Sequence, residues 1–253
     1  MANAADAHGQ AHSEDALDPL TAPIPRFDLA EVAAFVESVY GLVGALTPLA
    51  GERDLNVRVA TSEGDFAVKI ANAGEPPAAL DLQLALLEHL AETDPDLPVA
   101  RVRRSLAGRR VESIERGGQG FAVRCVTFLP GTTMSDAAVS PDGARLRRET
   151  GALLARFQRA AQGFFHPAAD RNILWDLRCL GELRSLLQEI GPFDERDTVE
   201  RILDRFDKIV RPVLPRLRAQ VIHNDWNPDN LVLDEHGRLA GILDFGDVLH
   251  GPR

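Results

Sequence analysis

Positive charge is scarce in this chain. It carries 28 Lys and Arg against 38 Asp and Glu, a formal net charge of −10. Polyphosphate backbones reward clustered basic side chains, so a nucleic-acid partner is not expected. Long apolar runs are missing as well. No stretch reaches the 18 or so residues of a spanning helix, which excludes a helical membrane protein. The opening MANAADAHGQAHSEDALDPL has neither the basic nor the apolar region of a secretory leader, and reads as a disordered tail ending near residue 24. The two cysteines, Cys125 and Cys179, lack metal-ligand spacing. They are expected as buried small hydrophobes in a reducing, cytoplasmic setting. No internal repeat is present.

What remains is ample for a core. Apolar residues make up 45% of 253 positions, which points to one domain of two lobes or two small domains. Residues 27–42 carry apolar side chains at helical spacing. Residues 55–71 alternate with period two around TSEGD, a hairpin pattern. Residues 78–92, AALDLQLALLEHLAE, consist of strong helix formers. Short strands are expected over 98–128, a linker near 130–141, and helices over about 142–217. The expected fold is α+β: a β-rich N-lobe over 25–130 and a mainly helical C-lobe over 131–253, with a ligand in the cleft between them.

Residues 221–247, VIHNDWNPDNLVLDEHGRLAGILDFGD, stand apart. His223, Asp225 and Asn230 give H-x-D-x-x-x-x-N, and Asp244 opens DFG. LVLD and LAGILDF flank a turn at EHGR, so the hairpin returns Asp244 to the side of Asn230. Phosphoryl transfer uses such a set: one carboxylate for the attacking hydroxyl, and an Asn and a second carboxylate for Mg²⁺. The pattern is the protein-kinase signature. Its rivals are an acidic loop beside a core hairpin, and a hydrolytic metal site on His223 and Asp225. The latter wants further ligands, and His236 lies in a turn without partner spacing. His223 is expected to brace the loop.

Upstream, FAVKI places Phe66, Val68 and Ile70 on one strand face and Ala67 and Lys69 on the other. A small residue two before a lysine leaves room for a base and offers a charge to phosphates. On the helix over 78–92 the leucines centre on one face with Gln83 in its middle, while Asp81 and Glu88 fall opposite. Gln83 is therefore expected, rather than Glu88, as the polar partner of Lys69.

These segments, with RCVTFLPGT, FHPAADRNILWDL and LPRLRAQVIHND, resemble the aminoglycoside phosphotransferase/choline kinase superfamily, and within it the hydroxylysine kinase-like group. The resemblance covers roughly residues 30–250. It implies Asp225 as catalytic base, Asn230 and Asp244 as Mg²⁺ ligands, and Lys69 on the phosphates of ATP or GTP. It implies a hinge at CVTFLPG whose backbone at Thr127, Phe128 and Leu129 meets the purine. A small cationic amino alcohol is the implied acceptor, with Asp229 or Asp247 for its ammonium. Homoserine and choline remain alternatives, as does an aminoglycoside.

The sequence departs from the family pattern in three places. No G-x-G-x-x-G precedes Lys69, so LAGERDLN must serve with Gly51 alone. Gln83 stands where the wider superfamily carries Glu. The family continues with further helices beyond the position of Arg253, so the C-lobe is expected to be incomplete, to self-associate or to pair with a C-terminal segment. Domains of this type also occur joined to an aminotransferase-like domain. The rival of another class is a kinase-like binding or regulatory module without turnover.

Overall fold

The computed structural model describes residues 21–137, 143–173, 175–190 and 195–253. Most of the expected N-terminal tail and part of the 130–141 linker lie outside them. The described residues fall into two compact units, one within 21–77 and 104–125, the other within 78–103 and from 126 onward. A single cut at residue 130 therefore differs from the observed division: the helix over 77–93 groups with the C-terminal residues, not with the strands that flank it in sequence.

The first unit begins with helix α1 (Leu29–Tyr40). Glu31 closes its start by accepting the Asp28 N–H at 2.8 Å. Gly41, at φ 68°, ends it in the left-handed conformation that glycine reaches without a Cβ penalty. Strands β1 (Gly44–Leu49), β2 (Leu55–Thr61) and β3 (Gly64–Ile70) form an antiparallel meander. After helix α2 (Pro77–Thr93) and strand β4 (Val102–Arg103) come β5 (Val111–Arg116) and β6 (Gln119–Thr127). The order is β1-β2-β3-β6, with β5 paired to β6.

Register decides which side chains meet. Val57 lies opposite Val68 and Val59 opposite Phe66. With Ile70, these pack on Val32, Val36, Tyr40, Val123 and Cys125. Each such buried side chain contributes on the order of 1.5–3 kcal/mol. The Tyr40 hydroxyl donates to Val123 O at 3.3 Å, and burial pushes its phenol well above the usual range.

The second unit holds α2, whose buried face includes Leu80, Leu82, Leu86 and Leu90. Strand β7 (Thr132–Thr133) pairs with β9 (Leu231–Leu233), which in turn pairs with β10 (Leu239–Ile242). Gly131 is required here, because a Cβ would lie 2.3 Å from Leu233 O. Helix α3 (Gly143–Ala160) buries Phe157 completely. Beyond it the expected long helices are broken. There are 3₁₀ turns at Pro167–Ala169 and Leu177–Glu182, then α4 (Leu183–Leu186) and α5 (Arg196–Arg205). A π-turn (Phe206–Val210) and a 3₁₀ turn (Leu214–Arg216) follow. Gly181 lies inside the first 3₁₀ stretch, and Pro212 and Pro215 interrupt the last. Strand β8 (Ala219–Ile222) pairs with β11 (Leu249–Pro252), which the sequence reading did not expect. Both cysteines are free and buried, as expected. Among the described residues no helix is long and apolar enough to cross a membrane.

Candidate active site

The strand β8 delivers the chain to His223, and the next eight residues are held by their own side chains. Asn227 Oδ1 accepts the N–H groups of Asp229 (2.8 Å) and Asn230 (3.2 Å), with Pro228 opening the 3₁₀ turn Pro228–Asn230. This is the Asn cap and proline start that helical turns favour. The Asn227 side-chain nitrogen donates to Asp225 Oδ1 at 2.7 Å. Asn230 Nδ2 donates to Asp225 Oδ2 at 2.7 Å and to the Asp225 carbonyl at 3.0 Å. Both Asp225 carboxylate oxygens thus have an amide donor, which fixes the carboxylate's orientation. The same bond consumes the Asn230 amide nitrogen and leaves its oxygen as the atom able to face a cation.

The hairpin returns as its pattern requires. Ile242 lies opposite Leu231, and the Leu243 N–H donates to Asn230 O at 2.8 Å. Asp244 is therefore the next residue beyond the rung that holds Asn230. Asp234 builds the turn by accepting the N–H groups of Arg238 (2.8 Å) and His236 (2.9 Å), and these bonds hold its carboxyl below the usual range. Asp244 sits at φ 51° and Asn224 at φ 65°, the positive-φ non-glycine residues among those described. Such conformations cost free energy and gather at functional sites. Asp244 Oδ1 accepts the Gly246 N–H at 2.9 Å, which stabilises the turn.

His223 braces this assembly, as expected. It is 2% exposed, and its Nε2–H donates to Leu243 O at 2.8 Å. Since a carbonyl only accepts, Nε2 carries the proton. Phe157, Trp226 and Phe245 surround the ring. Asp244, Asp225 and Asp247 all favour the imidazolium, yet burial outweighs them and lowers the His223 pKa below 6.5. His223 is thus a neutral structural residue. Among the described residues no three His, Cys, Asp or Glu side chains converge as a metal set. A hard, oxygen-only pair such as Asn230 Oδ1 and Asp244 suits Mg²⁺, which keeps waters and substrate phosphates as its other ligands.

The other sequence-predicted residues fall as follows. Asp229 is exposed and accepts the Ser135 hydroxyl on Oδ1. Asp247 is buried and accepts the Trp175 indole N–H at 2.8 Å. Gln83 is 5% exposed on the apolar face of α2, while Glu88 is half-buried. Asp81 meets His166 Nε2 at 3.0 Å. Thr127 exchanges two bonds with Arg101: its N–H donates to Arg101 O at 2.8 Å, and its hydroxyl accepts the Arg101 N–H at 2.9 Å. Phe128 and Leu129 follow on half-buried backbone.

In the first unit, Ala67 and Lys69 lie on the β3 face opposite Phe66, Val68 and Ile70, and Lys69 is half-buried across from Asn56. The segment over 50–54 is pinned despite its single glycine. Asn56 Nδ2 donates to Ala50 O at 3.1 Å, and Arg124 pairs with Asp54 at 2.8 Å with both side chains largely buried. Gly51 is needed for this close fold, since a Cβ would sit 2.6 Å from the Asp54 carbonyl oxygen. Sequence reasoning missed Asn227, although the Asn-Pro dipeptide marks a turn start. It also missed Arg171 and Trp175, whose partners lie far along the chain.

The chain matches the phosphotransferase enzyme family over residues 45–253. It belongs to that family. Hydroxylysine kinases are among its curated relatives. Those of Mus musculus and Bos taurus are each 28% identical to this chain, over 254 and 253 residues, and cover 90% of it. The chain spans 66% of the length of each. The kinase-like fold recurs in solved structures. A microcompartment-associated aminopropanol kinase superposes with TM-score 0.68 at 20% identity, over 89% of this chain and 71% of that one. A spectinomycin phosphotransferase in complex with ADP and spectinomycin gives 0.64 at 12%, over 88% and 70%. The GDP and kanamycin complex of APH(2")-IIia gives 0.58 at 20%, over 88% and 74%.

Proposed function

We propose that this chain transfers the γ-phosphoryl group of ATP or GTP to a hydroxyl of a small amino alcohol, with hydroxylysine as the leading acceptor. The observation that carries the reading is the bonded set Asp225–Asn230–Leu243, which joins a carboxylate, an amide oxygen and the Asp244 turn in one rigid loop. Asp225 is oriented to accept the proton of the attacking hydroxyl. Asn230 and Asp244 would hold Mg²⁺, which supplies charge neutralisation at the transferring phosphates. Lys69, beside Ala67 on β3, is assigned to a nucleotide phosphate, Gln83 on α2 to a polar nucleotide-binding role, and the backbone at Thr127 to Leu129 to the purine. The hydroxylysine kinase and aminopropanol kinase relatives support an amino-alcohol acceptor, and neighbours solved with ADP and with GDP support either nucleotide.

Mass spectrometry of products tests this. Purified protein with Mg²⁺ meets 5-hydroxylysine, homoserine, choline and ethanolamine, with ATP and GTP in separate reactions. One acceptor gaining a single phosphoryl mass is the expected result. Binding of the Mg²⁺–nucleotide with no phosphorylated acceptor contradicts it, and gives instead a nucleotide-binding module.

A further inference from the structure

The loop that carries Asp244 is held from outside by one short segment. The Arg171 guanidinium donates through Nε to Val248 O at 3.1 Å and through its terminal nitrogen to Gly246 O. Trp175 donates its indole N–H to Asp247 Oδ2 at 2.8 Å. Three successive residues after the DFG phenylalanine are thereby bonded to two side chains only four positions apart. The segment is anchored in turn. Arg178 donates to the Arg171 carbonyl at 3.3 Å and to Asp176 Oδ2 at 2.6 Å, and Asp176 is 3% exposed and caps the following 3₁₀ turn through the Arg178 N–H.

What this holds is the strained part of the site. Asp244 keeps φ 51°, and its Oδ1 stays bonded to the Gly246 N–H. Gly246 has no side chain to restrain it, so the peptide that fixes Asp244 would otherwise be its most mobile neighbour. Arg171 bonds the carbonyl of that same residue. A guanidinium spans two carbonyls in one plane, whereas an ammonium offers a point charge with no such fork.

We propose that Arg171, assisted by Trp175, is a positioning residue that presets Asp244 for a divalent cation. This rests on the phosphotransferase reading above. The two side chains act by keeping the Asp244 carboxylate in place before the metal arrives, so the cost of ordering it is not charged to metal binding.

The experiment uses the full chain and four variants: Arg171→Ala, Arg171→Lys, Trp175→Phe, and Arg184→Ala as a control, since Arg184 pairs with Asp204 and Asp207, away from the 244–248 loop. Mn²⁺ affinity with a non-hydrolysable nucleotide is read by electron paramagnetic resonance, and backbone hydrogen exchange over residues 244–248 by mass spectrometry. Arg171→Ala is expected to weaken Mn²⁺ by about tenfold or more and to speed exchange over 244–248. Arg171→Lys should recover part of both losses, Trp175→Phe should shift both about threefold, and Arg184→Ala neither. Where transfer occurs, the Mg²⁺ concentration for half-maximal rate should rise in Arg171→Ala, with a smaller change in kcat at saturating Mg²⁺. Unchanged Mn²⁺ affinity and exchange in Arg171→Ala overturn the proposal. So does equal loss in Arg184→Ala. If the wild-type chain binds no metal–nucleotide, the phosphotransferase reading fails. Exchange then still decides the clamp, which is overturned if Arg171→Ala leaves 244–248 protected.

Discussion

Residues 219–252 and residues 177–217 lie in the same unit and are built on opposite terms. In the first, two short strands and a hairpin flank a loop in which Asp225, Asn227, Asn230, Asp234 and Asp244 each accept or donate a side-chain bond. In the second, helical pieces of 3₁₀, α and π type follow one another. Leu177, Leu186, Ile202, Ile209 and Val213 are exposed on them by 39–61%. The contrast shows where geometry is enforced. Around Asp225 a displaced atom breaks a bond to a named partner, whereas on the helical pieces these apolar side chains stand partly in solvent.

Five substitutions would break or sharpen that contrast. Asp244→Asn has the largest expected effect. Asparagine tolerates positive φ and can still accept the Gly246 N–H, so thermal unfolding should stay near wild type. Phosphoryl transfer at moderate Mg²⁺ should fall by about 10² or more, as for loss of an electrostatic group at a reacting phosphate. Steady-state kinetics across Mg²⁺ concentrations checks this. Phe157→Ala comes next, because the ring is fully buried against His223, Trp226 and Phe245. It should cost about 3–5 kcal/mol in a denaturant titration.

His223 gives a smaller, pH-dependent effect. Its folded pKa lies below 6.5, chiefly through burial, so the unfolded chain takes up the proton first as pH falls. Its contribution to stability is complete above about pH 6.5 and is lost progressively below it. Urea midpoints measured between pH 7.5 and 5 should fall for wild type, with a shallower slope in His223→Gln. The smallest effect is expected on the second region: Ile209→Ser and Leu186→Ser, at 56% and 42% exposed residues, should move stability by no more than about 0.5 kcal/mol.

Legibility from sequence follows the same division. Asp225, Asn230 and Asp244 could be read because their grouping depends on a tight turn and one hairpin, all within 20 residues of chain. The faces of β3 and α2 could be read because periods of 2 and 3.6 are local properties: Phe66, Val68 and Ile70 enter one core, and Gln83 is buried among leucines. Strand β1 was not expected because GALTPL contains Pro48, which an edge strand tolerates and an interior one does not. Strand β11 has only LHGP and no alternation, and it exists through its register with β8. The grouping of α2 with the C-terminal residues, and the bonds from Arg171 and Trp175 across 72–77 positions, are tertiary facts that no local pattern encodes. The helices expected within about 142–217 are cut short where Pro212 and Pro215 fall, and Gly181 lies in a 3₁₀ turn.

The central claim is that one loop divides its labour, with the proton handled at Asp225 and the cation at Asn230 and Asp244. Asp225→Asn tests it most directly when transfer rate and Mg²⁺–nucleotide affinity are measured on the same preparation. The substitution keeps an oxygen for Asn230 Nδ2 and sacrifices the bond from Asn227. The account predicts a fall in rate of about 10²–10⁴, the range for a lost general base, with affinity changed less than about fivefold. An undiminished rate, or a loss of affinity as large as the loss of rate, would contradict it.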